Sequence, residues 1–497
     1  MSWRGVPWCF AAIACDIHPD DSGSADSATG ADSAADTSDS TDPGGSGDTS
    51  APVDSAGEPT DDTGDTVPTC TSGLVGARTI KVCGAVADQW AGTYLSGGAQ
   101  GDQTTLAVGT YSYGEGEQVD VYLLQDFTSS GWLSSTMKVS GVSDAITNGF
   151  GMNPTLTGEL DGDGVTDLTV SAMYADSGNV LVYLGPITDD LDPGDYDAVL
   201  GGDTWDGFGW GVSVVQDMEG DGDDELLVES YSYPWVSLSL FAGPVETSDA
   251  SSAFATYATD GALSGAELSN GDLDGDGISE LLVHVYPMGP DGYTMGSAPV
   301  LYLVSADAAG EVALEDYPMI STERGWGPEP HESNTADMDG DGYQDLLLEM
   351  RCEDSKKCAG EAQSAWFPGP ITDSLGVTDA SSTYTYDDGT GIGIGQIVVS
   401  TPVGDLDGDG QGGDILFILP GEDLVWFQPA PPTPGDTVLD AADVLLDSDL
   451  DVEGLYQTMA LPDVDADGYD DLALGAGGAD NGAEDAGAVY ILFGGSW

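Results

Sequence analysis

Ten residues carry the clearest chemistry in this chain: Gly271-Asp272-Leu273-Asp274-Gly275-Asp276-Gly277-Ile278-Ser279-Glu280, followed at once by Leu281-Leu282-Val283. Asp272, Asp274, Asp276 and Glu280 stand at loop positions 1, 3, 5 and 9, and Ile278 at position 7 can offer only its backbone carbonyl. Hard oxygens at this density suit calcium, which takes roughly 6 to 8 of them at about 2.3 to 2.6 Å. Gly275 and Gly277 permit the positive φ angles that so tight a turn demands. An EF-hand would need a bidentate Glu at position 12 and a helix on each side. Position 12 is Val283, and the branched apolar run around it reads as a strand.

An acidic surface turn without metal could produce this pattern once, but it recurs. The copies are Glu159, Asp161, Asp163, Asp167; Asp217, Glu219, Asp221, Glu225; Asp337, Asp339, Asp341, Asp345; and Asp463, Asp465, Asp467, Asp471. A further copy, Asp405, Asp407, Asp409, has Gly413 where the last carboxylate belongs and Asp414 one residue later, which predicts a bulged or weaker site. Alignment on the Leu after each loop adds Gly97 to Thr105, where the ligands are absent. The calcium expectation is therefore five well-formed sites and a sixth irregular one.

The elements that must position these loops follow from their spacing. First positions at 97, 159, 217, 272, 337, 405 and 463 define seven units, a repeat architecture. The pattern of a unit starts with an aromatic-Gly element such as Phe150-Gly151 or Phe208-Gly209, weak in the fourth to seventh units as at Gly261-Ala262 and Gly454-Leu455, and then carries the acidic loop, whose ligands the first unit lacks. A short apolar strand, a second strand such as Val180 to Leu184, a Gly-Pro-hydrophobic turn and a fourth extended segment complete it. No segment keeps a helical period. Four short strands repeated seven times predict an all-β fold, a seven-bladed β-propeller of four-stranded blades over residues 70–497.

Residues 1–15 read as a secretory signal: Arg4, an apolar run to Ala14, and Ala12-Ile13-Ala14-Cys15 at its end. The run is too short to span a bilayer. A small residue before Cys15 is similar to the lipobox of bacterial lipoproteins, which would make Cys15 the lipidated mature N-terminus; the alternative is a plain signal cut nearby. Residues 16–69, built of Asp, Ser, Thr, Gly, Ala and Pro, cannot bury enough apolar surface to offset ordering entropy and predict a disordered acidic tether. Cys70, Cys83, Cys352 and Cys358 form two close pairs without C-x-x-C spacing or histidine partners, so disulfides are expected rather than zinc. Close spacing pairs 70 with 83 and 352 with 358.

The aromatic-Gly element, the D-x-D-x-D-G-x-x-D loop, Leu-Ala-Leu-Gly-Ala-Gly at 472–477 and Gly-Ala-Val-Tyr-Ile-Leu-Phe-Gly at 487–494 resemble FG-GAP repeats. These build the seven-bladed propeller of integrin α subunits and of many bacterial exported proteins. The resemblance implies calcium between the first two strands of a blade, on the face opposite the usual ligand face. It further implies backbone carbonyl ligands from Val165, Asp223, Ile278, Tyr343, Gln411 and Tyr469. The last unit has three strands, so an extra strand at Ala77 to Val82 is expected to complete it, with Cys70 and Cys83 bracing the seam.

The chain carries 89 acidic and 8 basic residues, a net charge of −81. Six divalent ions would offset only a small part of this. Such a field repels nucleic acid and anionic membranes, leaving an N-terminal lipid anchor as the only expected membrane contact. It suits cationic partners, calcium-bridged polysaccharides, or solubility in salty surroundings.

Of the three histidines, His18 lies in the tether, His284 within a strand and His331 in a Gly/Pro-rich turn, and no nucleophile or phosphate-cradling motif accompanies them. Trp90, Phe150, Phe208, Trp210 and Trp326 sit near blade starts, where packing between blades explains them better than sugar stacking. The turns 286–299 and 350–361, the latter with Arg351, Lys356 and Lys357, are candidates for partner contact. The expectation is a calcium-binding, non-catalytic binding or adhesion module at the cell surface, taking a protein or polysaccharide ligand. It would be an outer-membrane or surface lipoprotein, or else secreted or periplasmic. The alternatives are a glycosidase or lyase on the same scaffold, or a purely architectural surface protein.

Overall fold

A computed structural model describes residue 70 and, with interruptions, residues 79–495. The interruptions are 85, 88, 101–102, 111–118, 142–149, 174, 176, 193, 203–206, 216–221, 233–234, 259–268, 286–299, 306–308, 323–325, 330–334, 353–361, 387–398, 420–423, 440–454, 481–482 and 484–485. The signal, Cys15, the tether, Cys358, His331, the whole of the 286–299 turn and residues 353–361 of the other candidate turn thus lie outside the described residues, whereas 350–352 end the strand Asp345–Cys352.

The unit from Thr69 to Trp497 is a seven-bladed β-propeller. Each blade is an antiparallel meander, for example Phe150–Gly158, Asp167–Ala172, Asn179–Tyr183 and Ala198–Gly201 in blade 2. Blade 6 shows three strands, Val399–Pro402, Ile415–Leu419 and Leu424–Gln428. Helix among the described residues is limited to four single 3-10 turns, and no helix there is long and apolar enough to cross a membrane.

Blade 7 closes the ring. Its three strands Leu455–Leu461, Asp471–Ala476 and Ala488–Leu492 are completed by Thr79–Cys83, which pairs antiparallel from Thr79↔Leu492 to Cys83↔Ala488. Cys83 at the end of that strand is disulfide-bonded to Cys70, 13 residues away. A cross-link closing so short a loop restricts the unfolded chain by about 3 kcal/mol. Replacing both cysteines by serine should lower the urea-unfolding free energy by about that amount.

Second strands read as unbroken apolar runs because both of their faces are buried. Leu346, Leu348 and Met350 enter the seam between blades 4 and 5, while Leu347 enters the seam between blades 5 and 6. Seven apolar cores result, one per seam. Phe150 and Phe208 are buried in the seams preceding their blades, as expected of packing residues. Trp90 and Trp210 are half-exposed instead. Trp326 opens a strand of blade 5. His284 is buried within Glu280–Val285.

A feature absent from the sequence reading is a short parallel strand added to the outer edge of a blade by the chain of the next one. Gly131–Trp132 pairs with Thr79–Cys83, Gly310–Ala313 with Ala255–Ala258, and Gly435–Leu439 with Ser382–Tyr386. These additions cover edges that would otherwise offer unpaired backbone groups. At two to five residues they are too short to leave a periodic signal.

Candidate metal centre

Every acidic loop joins the first and second strands of its blade, so the loops share one end of the propeller. In blade 4 the position-1 carboxylate is gripped by the turn it starts: Asp272 accepts from Gly275 N at 2.8 Å and from Gly277 N at 3.0 Å. Asp274 accepts from Asp276 N at 3.0 Å, and Asp276 from Ile278 N at 2.8 Å. Gly275 and Gly277 take φ of 82° and 92°, the left-handed region that lets the turn fold this tightly. Each acid is thereby turned inward by its own backbone before any cation is present.

The same contacts recur in the loops of blades 5 and 6, through Asp337 and Asp405. Carboxylate oxygens lie within 4.8 Å of one another for Asp272, Asp274 and Asp276, for Asp337, Asp339 and Asp341, and for Asp463, Asp465 and Asp467. In blades 2 and 6 the converging sets are Glu159, Asp161, Asp167 and Asp405, Asp407, Asp414. Asp163 and Asp409 accept the N–H of Val165 and Gln411, and Asp341 and Asp467 that of Tyr343 and Tyr469. Of the expected blade 3 ligands only Asp223 and Glu225 are described, Glu225 being fully buried; Asp217, Glu219 and Asp221 lie outside the described residues. Blade 1 has a tight hairpin instead, Tyr94–Gln100 against Gln103–Gly109.

Position 9 does more than the sequence reading assigned to it. Asp167, Asp345, Asp414 and Asp471 are buried and tie the loop to the far end of the third strand. Asp345 accepts from Met338 N at 3.0 Å, Trp366 Nε1 at 3.2 Å and Gly369 N at 2.8 Å. Asp471 accepts from Val464 N and Gly494 N, and Asp167 from Leu160 N and Gly185 N. Asp414 makes the equivalent bonds to Leu406 N at 2.9 Å and Ala430 N at 2.7 Å. The extra residue in blade 6 is absorbed by Gly413, at φ 91° and packed against the backbone of Met338 and Asp337 in the preceding blade. The displacement in sequence therefore leaves Asp414 in its place in space, and the bulge does not carry the carboxylate away.

Burial pushes the position-9 acids up in the metal-free protein: Glu280 to about 7, Asp167 and Asp471 to about 6, with Asp345 and Asp414 also raised. Glu280 Oε2 accepts from Leu273 N at 2.8 Å and Asp274 N at 3.3 Å, while its buried Oε1 has no hydrogen-bond donor. The acids that converge in this loop are Asp272, Asp274 and Asp276, with Glu280 outside that set. Clustered carboxylates without nitrogen or sulfur donors fit a hard divalent ion.

Ala466 stands at position 4 of the blade 7 loop, where the loops of blades 2, 4, 5 and 6 have Gly, and takes φ 60° on an exposed turn. Ala466→Gly should relieve that strain and raise stability by about 0.5–1 kcal/mol, read from the urea midpoint.

Neighbouring loops are laced together by residues that the sequence reading passed over. Asp224 Oδ2 accepts from Glu159 N at 2.9 Å and Asp224 N donates to Glu159 O at 2.7 Å. Asp470 does the same to Asp405, at 2.8 and 3.1 Å. In blade 1 the Gln100 side chain substitutes for a loop, accepting from Ile187 N and donating to Thr166 O.

The fold and these loops define a class: a seven-bladed propeller with clustered acids, able to hold a metal, between first and second strands. The FG-GAP repeat family model matches residues 455–492, from the first strand of blade 7 through its third. The chain thus carries an FG-GAP repeat in its closing blade, including the Asp463–Asp471 loop. No curated protein matches the chain.

Proposed function

We propose that the protein is a calcium-stabilised extracellular propeller that serves as a non-catalytic binding or adhesion module at the cell surface. The observation that carries this reading is the convergence of five acidic clusters, one per blade, on one end of a closed ring. Calcium there would neutralise charge that the fold itself concentrates, and would hold the first and second strands of each blade together. Val165, Asp223, Ile278, Tyr343, Gln411 and Tyr469 would add backbone carbonyls to the carboxylate sets. The partner would be a protein or polysaccharide, met by a rigid scaffold whose surface charge excludes nucleic acid. Attachment to the membrane would come only through lipid on Cys15.

The test is a panel of surface polysaccharides and cationic proteins, presented to the full chain in calcium and in chelator. Calcium-dependent retention with no release of new reducing ends supports a binding module. Depolymerisation would establish an enzyme instead, and neither retention nor turnover would point to an architectural role.

A further inference from the structure

The seam between blades 6 and 7 joins two candidate cation sites by more than apolar packing. Asp470 lies between Tyr469 and Asp471, both ligand positions of the blade 7 loop, yet its carboxylate points to the neighbouring loop. There it accepts the N–H of Asp405, the first ligand position of blade 6, at 2.8 Å, and its own N–H donates to the Asp405 carbonyl at 3.1 Å. The Tyr469 ring packs on Gly408, and Gly495 N donates to Leu406 O at 2.9 Å. The backbone that begins one site is thus held by the backbone that ends the next.

The carboxylate form of this clamp recurs at Asp224, which holds Glu159 between blades 2 and 3, and Thr166 makes the corresponding pair of bonds to Ala99 with its hydroxyl and N–H; at the same loop position blade 5 has Gln344 and blade 6 has Gly412.

Resting on the calcium reading above, we propose that the sites of blades 6 and 7 fill as a coupled pair, with Asp470 transmitting occupancy from the 463–471 loop to the 405–414 loop. A cation held among Asp463, Asp465 and Asp467 would fix Asp467, which accepts the N–H of Tyr469, and with Tyr469 the residue that follows it. That residue fixes Asp405, so the second site forms with less ordering left to do. Asp470 is a positioning residue, distinct from the ligands.

The test is hydrogen exchange of the full chain over a calcium series, following peptides 405–414, 463–471 and, as a control, 272–280. Disabling the blade 7 site with Asp465→Asn plus Asp467→Asn should shift the calcium midpoint of the 405–414 peptide upward by about fivefold or more, leaving 272–280 unmoved. In an Asp470→Ala background the same pair of substitutions should no longer shift it, while Asp470→Ala alone leaves the 463–471 peptide with calcium-dependent protection. Asp470→Asn, which keeps an acceptor oxygen, should retain part of the coupling and guards against misfolding of the Ala variant. A 405–414 midpoint indifferent to the blade 7 site overturns the coupling alone. Absence of calcium-dependent protection at any of the three loops in wild type overturns the calcium reading, and the coupling with it.

Discussion

Asp345→Ala is expected to destabilise the propeller by about 3 kcal/mol or more, even in chelator. The carboxylate is fully buried and receives three donors: Met338 N, Trp366 Nε1 and Gly369 N. Truncation leaves these groups without an acceptor in a closed site, at about 1–3 kcal/mol for each one that water cannot reach. Asp345→Asn should fare little better, because its amide N–H₂ would face N–H donors. Asp341→Ala, on an exposed turn, should cost far less in chelator, since the loop backbone bonds of Asp337 survive it. Urea midpoints of the three variants in chelator decide the matter. A cost below about 1 kcal/mol for Asp345→Ala would mean that the position-9 acid is a ligand and nothing more.

The second large effect is on pH. Asp167 and Asp471 are raised to about 6 and Glu280 to about 7, through burial first of all, against unfolded values near 4. Between roughly pH 4 and 7 the folded metal-free chain therefore binds more protons than the unfolded chain, and linkage makes stability fall as pH rises through that window. Self-repulsion in a chain of net charge −81 acts in the same direction. Thermal unfolding in chelator should occur at a higher temperature at pH 5 than at pH 8. Saturating calcium should flatten or invert the trend, because cation and proton compete for the same oxygens. A metal-free midpoint that rises from pH 5 to 8 would contradict the burial of these acids.

Much of this was legible before any coordinates, for a physical reason. Repetition multiplies weak local signals: one Asp-x-Asp-x-Asp-Gly run is ambiguous, but its return before each Leu-rich strand fixes blade count, strand order and loop position together. Ring closure by Thr79–Cys83 follows from the same count, since an incomplete last blade needs a strand from elsewhere. What escaped is whatever depends on neighbours in space. Asp224 and Asp470 look like surplus surface acids in one dimension, and only adjacency of blades gives them Glu159 and Asp405 as partners. Asp414 looks displaced by one residue until Gly413 is seen to take up the extra length. The parallel edge strands have no pattern of their own, being defined by the outer strand they meet.

Thermal unfolding of the full chain at neutral pH, in millimolar calcium and again in chelator, addresses the cation sites most directly. A site filled to a hundred times its dissociation constant stabilises the native state by about 2.7 kcal/mol. Five such sites should raise the midpoint by about 10 °C or more, with magnesium giving far less. An unchanged midpoint would contradict calcium as the ion these loops are built to hold.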